Sequence, residues 1–199
     1  MGDVMRIETT KTALYTFDEL PDAAKEKARE WFRESYNHEE WWDCTECDCM
    51  DIAKILGIDI DNIYFSGFSS QGDGAQFTGS YAYAKGSTKA IREHAPLDTA
   101  LHAIADDLFQ LQKRKFYKVS AVVKSTGHYS HEFCTSIDTY IGDDSTPYVL
   151  GTLNDLLRDF MRWIYSQLEN EYWYLMSNES VDDNILCNEY EFTFNGKVA

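Results

Sequence analysis

The chain has 199 residues, 44% of them apolar and 26% charged, enough to bury one core of ordinary size. Its 34 acidic side chains against 18 basic ones leave a formal charge of −16, which argues against a basic groove tracking a phosphate backbone, and 15% aromatic residues argue against a disordered chain. The expectation is a single acidic α+β domain over residues 1–199.

Ala13, Tyr15 and Phe17 alternate with Thr12, Leu14 and Thr16, which predicts a strand over residues 12–17. Asp18 and Pro21 then open an amphipathic helix over Asp22–Glu34, with Ala24, Ala28, Trp31 and Phe32 on one side. A second helix is predicted from Glu39 to Leu56, where Trp41, Thr45, Cys49, Ile52 and Leu56 form a stripe and Gly57 supplies the stop. Ile58–Phe65 reads as a strand, and Phe77, Gly79, Tyr81 and Tyr83 mark one face of another, so the two form a hairpin with a long glycine-rich loop, Ser66–Ala75.

Leu97, Leu101, Ile104, Leu108 and Leu111 repeat at helical spacing. Two alternating runs follow, Tyr117, Val119, Ala121, Val123 and then Phe133, Thr135, Ile137, Thr139, and predict a second hairpin. Asp143–Pro147 is a connection, and Leu153, Leu157, Phe160, Ile164 and Leu168 mark the inward face of a helix from Leu150 to about Met176. Tyr190, Phe192 and Phe194 alternate with Glu191 and Thr193 in a closing strand. Paired strands and paired helices, rather than strict alternation, predict an at least partly antiparallel sheet packed on one face by several helices.

Residues Met1–Lys11 carry charges without an apolar run, and no window approaches the roughly 18 consecutive apolar residues of a membrane helix. A cytoplasmic protein without membrane association is expected. Cys44, Cys47, Cys49, Cys134 and Cys187 make an odd count that suits free thiols in a reducing compartment.

The glycine-rich stretch Ser66–Phe77 is a candidate ligand loop, with Ser69, Ser70, Gln71, Asp73 and Gln76 offering hydrogen-bonding groups. It lacks the Lys-Ser/Thr pair and following helix of a phosphate loop, and Gln71 stands where a hydrolase elbow needs its last glycine. Cys44, Cys47, Asp48 and Asp51 share a helix face, with His38 upstream, but no second ligand pair stands at zinc-site spacing, so no metal or other cofactor is expected. His128 and His131 flank a Tyr-Ser step; in an extended strand they point to opposite faces, as do His131 and Glu132, so no catalytic triad is expected there. No catalytic residue is assigned.

Charge distribution gives the leading candidate. Two stretches, residues 34–51 and 169–191, hold seven acidic residues each and no Lys or Arg. Glu39, Glu40, Asp43, Glu46, Asp48 and Asp51 in the first, with Trp41 as an aromatic anchor, and Glu169, Glu171, Glu179, Asp182 and Asp183 in the second, are candidate partner-binding residues for a cationic protein. The plainer reading is solvated helix surface.

Tyr15-Thr16-Phe17-Asp18-Glu19-Leu20, Ile63-Tyr64-Phe65-Ser66-Gly67-Phe68 with Gln71-Gly72-Asp73-Gly74-Ala75, and the ending Tyr174-Leu175-Met176-Ser177 through Asn188-Glu189-Tyr190-Glu191-Phe192 resemble a family of small acidic proteins of tailed bacteriophages and prophages, some labelled as antitoxins. The resemblance spans most of the chain but not the Cys44–Cys49 cluster, and it implies no catalytic residues. With the acidic stretches it implies an accessory protein that blocks a basic host protein, such as a defence nuclease, by mimicking nucleic acid without binding nucleic acid directly. The alternatives are a small-ligand or nucleotide binder or enzyme using the glycine-rich loop, and an antitoxin or virion component; a homodimer is left open.

Overall fold

A computed structural model describes residues 11–36, 40–127, 129–142 and 150–199, with Tyr36 described by its backbone alone. His38, Glu39, His128 and the Asp143–Pro147 connection lie outside the described residues. The chain divides into two compact units, one formed by Met1–Glu40 with Tyr172–Ala199 and a larger one by Trp41–Glu171.

In the larger unit, β2 (Ile58–Phe65), β3 (Ala75–Ala82), β4 (Val119–Ser125) and β5 (Thr135–Ile141) form one sheet in the order β2-β3-β4-β5, every pair antiparallel. Inward-facing Phe77, Tyr81, Val119, Ala121, Val123 and Ile137 pack against α2 (Asp43–Leu56), α4 (Thr99–Arg114) and α5 (Gly151–Leu175), which supply Leu56, Leu101, Leu108, Leu157, Phe160 and Ile164 to the same core. The fold is α+β, with a meander covered on one face by helices. Ile58 and Ile63 both face inward although they stand five positions apart, which in a regular strand would put them on opposite faces, because the register shifts between Ile60 and Asn62 and the bulge resets the two-residue alternation. At the end of α2, Gly57 takes φ +84°, and a Cβ there would stand 2.1 Å from the Ala82 carbonyl oxygen, so only glycine can turn the helix into β2.

The smaller unit pairs β1 (Tyr15–Thr16) antiparallel with β6 (Glu191–Phe192) beside α1 (Asp22–Tyr36) and α6 (Asn178–Cys187). Its core holds Phe17, Leu20, Ala24, Ala28, Phe32, Val181, Ile185 and Phe192.

Three sequence expectations change, and two helices are added. The first strand shrinks to two residues because Glu19 Oε2 accepts hydrogen bonds from Thr16 N (2.9 Å) and Oγ1 (3.1 Å), a capping box that winds Phe17–Glu19 into a 3-10 turn. Leu97 is 92% exposed, since α4 starts only after Asp98, whose Oδ1 accepts from Leu101 N at 2.9 Å. Two short helices, α3 (Ser87–His94) and α6, stand in stretches for which no element was predicted, α6 being capped by Ser177. Phe133 is exposed because Glu132–Cys134 form a 3-10 turn and β5 begins only at Thr135. No described helix is long and apolar enough to cross a membrane.

Candidate functional site

The glycine-rich loop between β2 and β3 is closed at its base, where Ser66 N donates to the Gly74 carbonyl (3.0 Å) and Gly74 N to Ser66 Oγ (3.1 Å). Within it, Asp73 Oδ2 accepts from Ser69 N (3.0 Å) and Ser70 N (2.6 Å), so this carboxylate first organises its own turn. The loop is also pinned from outside: Tyr165 Oη on α5 donates to the Gly67 carbonyl at 3.1 Å, and Phe68 stacks on Phe65 and packs against Trp41 and Tyr165. Burial, followed by the carboxylates of Glu169 and Asp73, pushes the Tyr165 phenol up, which keeps it a neutral donor.

Facing this loop is the β4–β5 connection. Ser66, Gln71, Gly72 and Asp73 from the first segment, with Tyr129, Ser130, His131 and Cys134 from the second, line one cleft of about 530 Å³. Of the five loop residues singled out in the sequence, Gln71 and Asp73 line the cleft, while Ser69 and Ser70 do not. Gln76 is buried behind it, its Nε2 donating to Ser125 Oγ and to the Tyr129 carbonyl (both 3.2 Å), which braces one segment on the other.

Behind the wall that holds His131 runs a chain of polar and charged side chains. Glu132, only 7% exposed, places Oε2 3.0 Å from His131 Nδ1 and accepts on Oε1 from Arg162 Nε at 3.0 Å; Arg162 in turn holds Asp159. The guanidinium groups of Arg158 and Arg162 lie 5.1 and 5.8 Å from the ring centre of Phe133, which stacks on His131 at 5.5 Å. The expectation that His131 and Glu132 point apart is overturned: the 3-10 turn at Glu132–Cys134 breaks the alternation and brings both to one side. Arg162 had no signal in the sequence, and Tyr129 had only that of the polar run Gly127–Glu132 in which it stands.

A second cleft of about 480 Å³, between α4 and α5, is lined by Asp98, Asp107, Asp159, Arg162 and Trp163 among others. Most of these polar groups already serve the fold, Asp98 accepting from Leu101 N and from Trp163 Nε1 (2.7 Å).

The acidic candidates fall in both units. In the larger one, Asp43, Asp48 and Asp51 are exposed on α2, Glu46 is half-buried, and Glu169 and Glu171 are half-buried on α5. Trp41 is half-buried in an aromatic group with Trp42, Phe65 and Phe68 and supports the loop. In the smaller unit, Glu40, Glu179 and Asp183 are exposed, while Asp182 is bound by Arg29. Cys44 and Cys47 are exposed on α2 and Cys49 is buried; among the described residues no group of three or more His, Cys, Asp or Glu is disposed to hold a metal.

Comparison with curated proteins and with solved structures gives no match. A family model covers residues 41–178, a span that includes the loop, the β4–β5 connection and Arg162. By that match, which takes in well over half of its length, the chain belongs to the family described as a domain of unknown function, DUF8835.

Proposed function

We propose that the larger unit binds a small, neutral, hydroxyl-rich ligand in the cleft between the glycine-rich loop and the β4–β5 connection. The observation that carries this reading is convergence: two polar segments more than fifty residues apart in sequence line one cavity of about 530 Å³, within the range of small-molecule sites. The lining offers hydroxyls from Ser66, Ser130 and Tyr129, the Gln71 amide, one imidazole and one carboxylate, but no Lys or Arg. Hydroxyl and amide groups, which both donate and accept, suit a polyol or sugar ring, and the exposed Tyr129 ring offers a face for it. A phosphate would find no cation in the lining to pair with. Thermal denaturation with a panel of mono- and disaccharides and nucleosides tests this: a binder raises the melting temperature of the wild type and not of Gln71→Ala with Tyr129→Ala, and a panel without effect refutes the reading.

A second reading keeps the acidic surface. The observation favouring it is α2, whose exposed Asp43, Asp48 and Asp51 share the helix with a single cation, Lys54, itself held by Asp51 at 2.9 Å. With the resemblance to phage proteins, this supports docking of a basic host protein, an antitoxin role being the variant in which that protein is a toxin. A complex captured at low salt should dissociate as ionic strength rises; one indifferent to salt counts against it.

A further inference from the structure

The turn between α4 and β4 is strained, and it presents an aromatic ring to solvent. Phe116 and Tyr117 take φ +56° and +61°, in the left-handed region that bulky side chains rarely adopt and where a helix ordinarily ends on glycine or asparagine. Both ends of the turn are anchored. Tyr117 N donates to the Gln112 carbonyl at 2.7 Å, and the fully buried Gln112 side chain donates from Nε2 to the Val119 carbonyl (2.7 Å) and Tyr81 Oη (3.2 Å) and accepts from Val119 N (3.2 Å). Tyr117 packs on Tyr83 and Phe109, with ring centres 4.6 and 6.2 Å apart, whereas Phe116 is left 81% exposed. Glycine would make the same turn without strain, so the fold alone gives no reason for an aromatic residue at 116.

The charge around this ring is opposite to that of the chain. Residues 113–118, Lys-Arg-Lys-Phe-Tyr-Lys, are all exposed. Residues 74–92 and 108–131, which meet where Tyr83 packs on Tyr117, hold eight of the chain's 18 Lys and Arg and no Asp, with Glu absent too. Lys89, Arg92 and Lys124 are paired with Glu93, Asp106 and Asp138; Lys85, Lys113, Arg114, Lys115 and Lys118 make no ion pair with a described residue.

Cations around an exposed apolar ring fit a surface that is anionic outside and apolar beneath. We propose that this turn docks the larger unit on the surface of an anionic lipid bilayer, Phe116 entering the headgroup region while Lys113, Arg114, Lys115 and Lys118 meet the lipid anions. The contact needs no crossing helix, and the described residues contain none. Charges farther from the bilayer than a Debye length, about 8 Å in physiological salt, are screened, so acids elsewhere on the chain weigh little against cations that touch it. Single-stranded nucleic acid fits less well, because bases stack on successive open rings and Tyr117 is already packed on Tyr83 and Phe109. The acidic helix α2 of a second copy would answer the cations, but its exposed side chains, Asp43, Cys44, Cys47, Asp48, Asp51 and Lys54, offer no large apolar seat for Phe116.

The test is flotation of the full-length protein with vesicles of phosphatidylcholine, either alone or mixed with phosphatidylserine at about 30%. The wild type should float with the mixed vesicles at low salt, not with the neutral ones, and should be released as salt rises. Lys113→Gln, Arg114→Gln and Lys115→Gln together should weaken the partition by about fivefold for each cation removed. Phe116→Gly should weaken it at least about tenfold, the low end for burying a phenyl side chain. Its melting temperature should hold or rise, because glycine accepts φ +56° without strain. Leu97→Ser, at another exposed apolar position, should bind as the wild type does. No flotation with the mixed vesicles, equal flotation with the neutral ones, unchanged binding by Phe116→Gly or an equal loss in Leu97→Ser overturns the proposal. A lower melting temperature for Phe116→Gly assigns the ring to the fold and overturns it as well. A labelled single-stranded oligonucleotide that binds the wild type when vesicles do not assigns the turn to nucleic acid instead.

Discussion

Arg29 grips Asp182 through two parallel hydrogen bonds, Nε to Oδ1 at 2.6 Å and Nη2 to Oδ2 at 2.7 Å, tying α1 to α6 in the smaller unit. Both side chains are largely shielded, and the pairing holds the Arg29 guanidinium well above its ordinary range. Asp182 is therefore committed within the fold, unlike its exposed neighbour Asp183. Asp182→Ala should cost about 1–2 kcal/mol in chemical denaturation, the scale of charge-assisted hydrogen bonds that keep some solvent contact. Arg29→Lys should be destabilised in the same direction, because an ammonium cannot reproduce the planar fork. Asp183→Ala should be close to neutral.

Gly74 predicts a separation of stability from site geometry. Its φ does not lie in the left-handed region, so alanine meets no backbone strain; the new Cβ would crowd His131 Cδ2 at 2.9 Å and approach Glu132 Oε2 at 3.4 Å. These are side-chain atoms that can shift. Gly74→Ala should therefore stay folded, losing less than about 1 kcal/mol. The imidazole resonances of His131 should move while amide resonances of α2 and α4 remain, and a spectrum unchanged at His131 would contradict the packing.

The five cysteines should separate by burial. Cys49 is 1% exposed, and burial, followed by Asp48 and Glu46, pushes its thiol up to about 12. The thiolate is the reacting form, so Cys49 should stay unmodified by a disulfide reagent between pH 7 and 9 until the protein is denatured. Cys44, Cys47 and Cys187, all exposed, should react in the native state. Mass mapping of the labelled peptides reads the order directly.

Much of the larger unit could be read from pattern because its elements are long and regular. The inward stripe Leu153, Leu157, Phe160, Ile164, Leu168 is fully buried on α5, and β2 occupies the residues expected of it. Where pattern failed, a local polar bond took precedence over apolar spacing. Asp98 capped α4 and left Leu97 outside, and Glu19 turned the chain after Thr16. The short helix α6 hid because Ser177-Asn178-Glu179-Ser180 resembles a loop until Ser177 is seen to cap it. The cleft was half legible: the glycine-rich loop stood out, but its opposite wall depends on a single 3-10 turn that brings adjacent His131 and Glu132 to one side. No two-residue alternation could predict that, and Arg162 enters only through tertiary packing of α5.

Glu46 offers a pH test of the acidic helix. It is half-buried on α2, and its carboxyl is raised above the usual range first by burial and then by Asp43 one turn earlier. The folded state thus holds the Glu46 proton more tightly than the unfolded chain does. Its contribution is most favourable below the unfolded carboxylate pKa and is lost as pH rises through the folded value, so ionised Glu46 weakens the fold at neutral pH. Glu46→Gln should raise the melting temperature at pH 7 by about 1–2 °C, a fraction of a kcal/mol for a chain of this size. Measured against the wild type, that gain should shrink as pH falls through the carboxylate range and vanish where Glu46 is protonated in both states. A gain of equal size at both ends of the titration would assign the effect to amide packing, and a loss at pH 7 would mean that the carboxylate makes a stabilising contact.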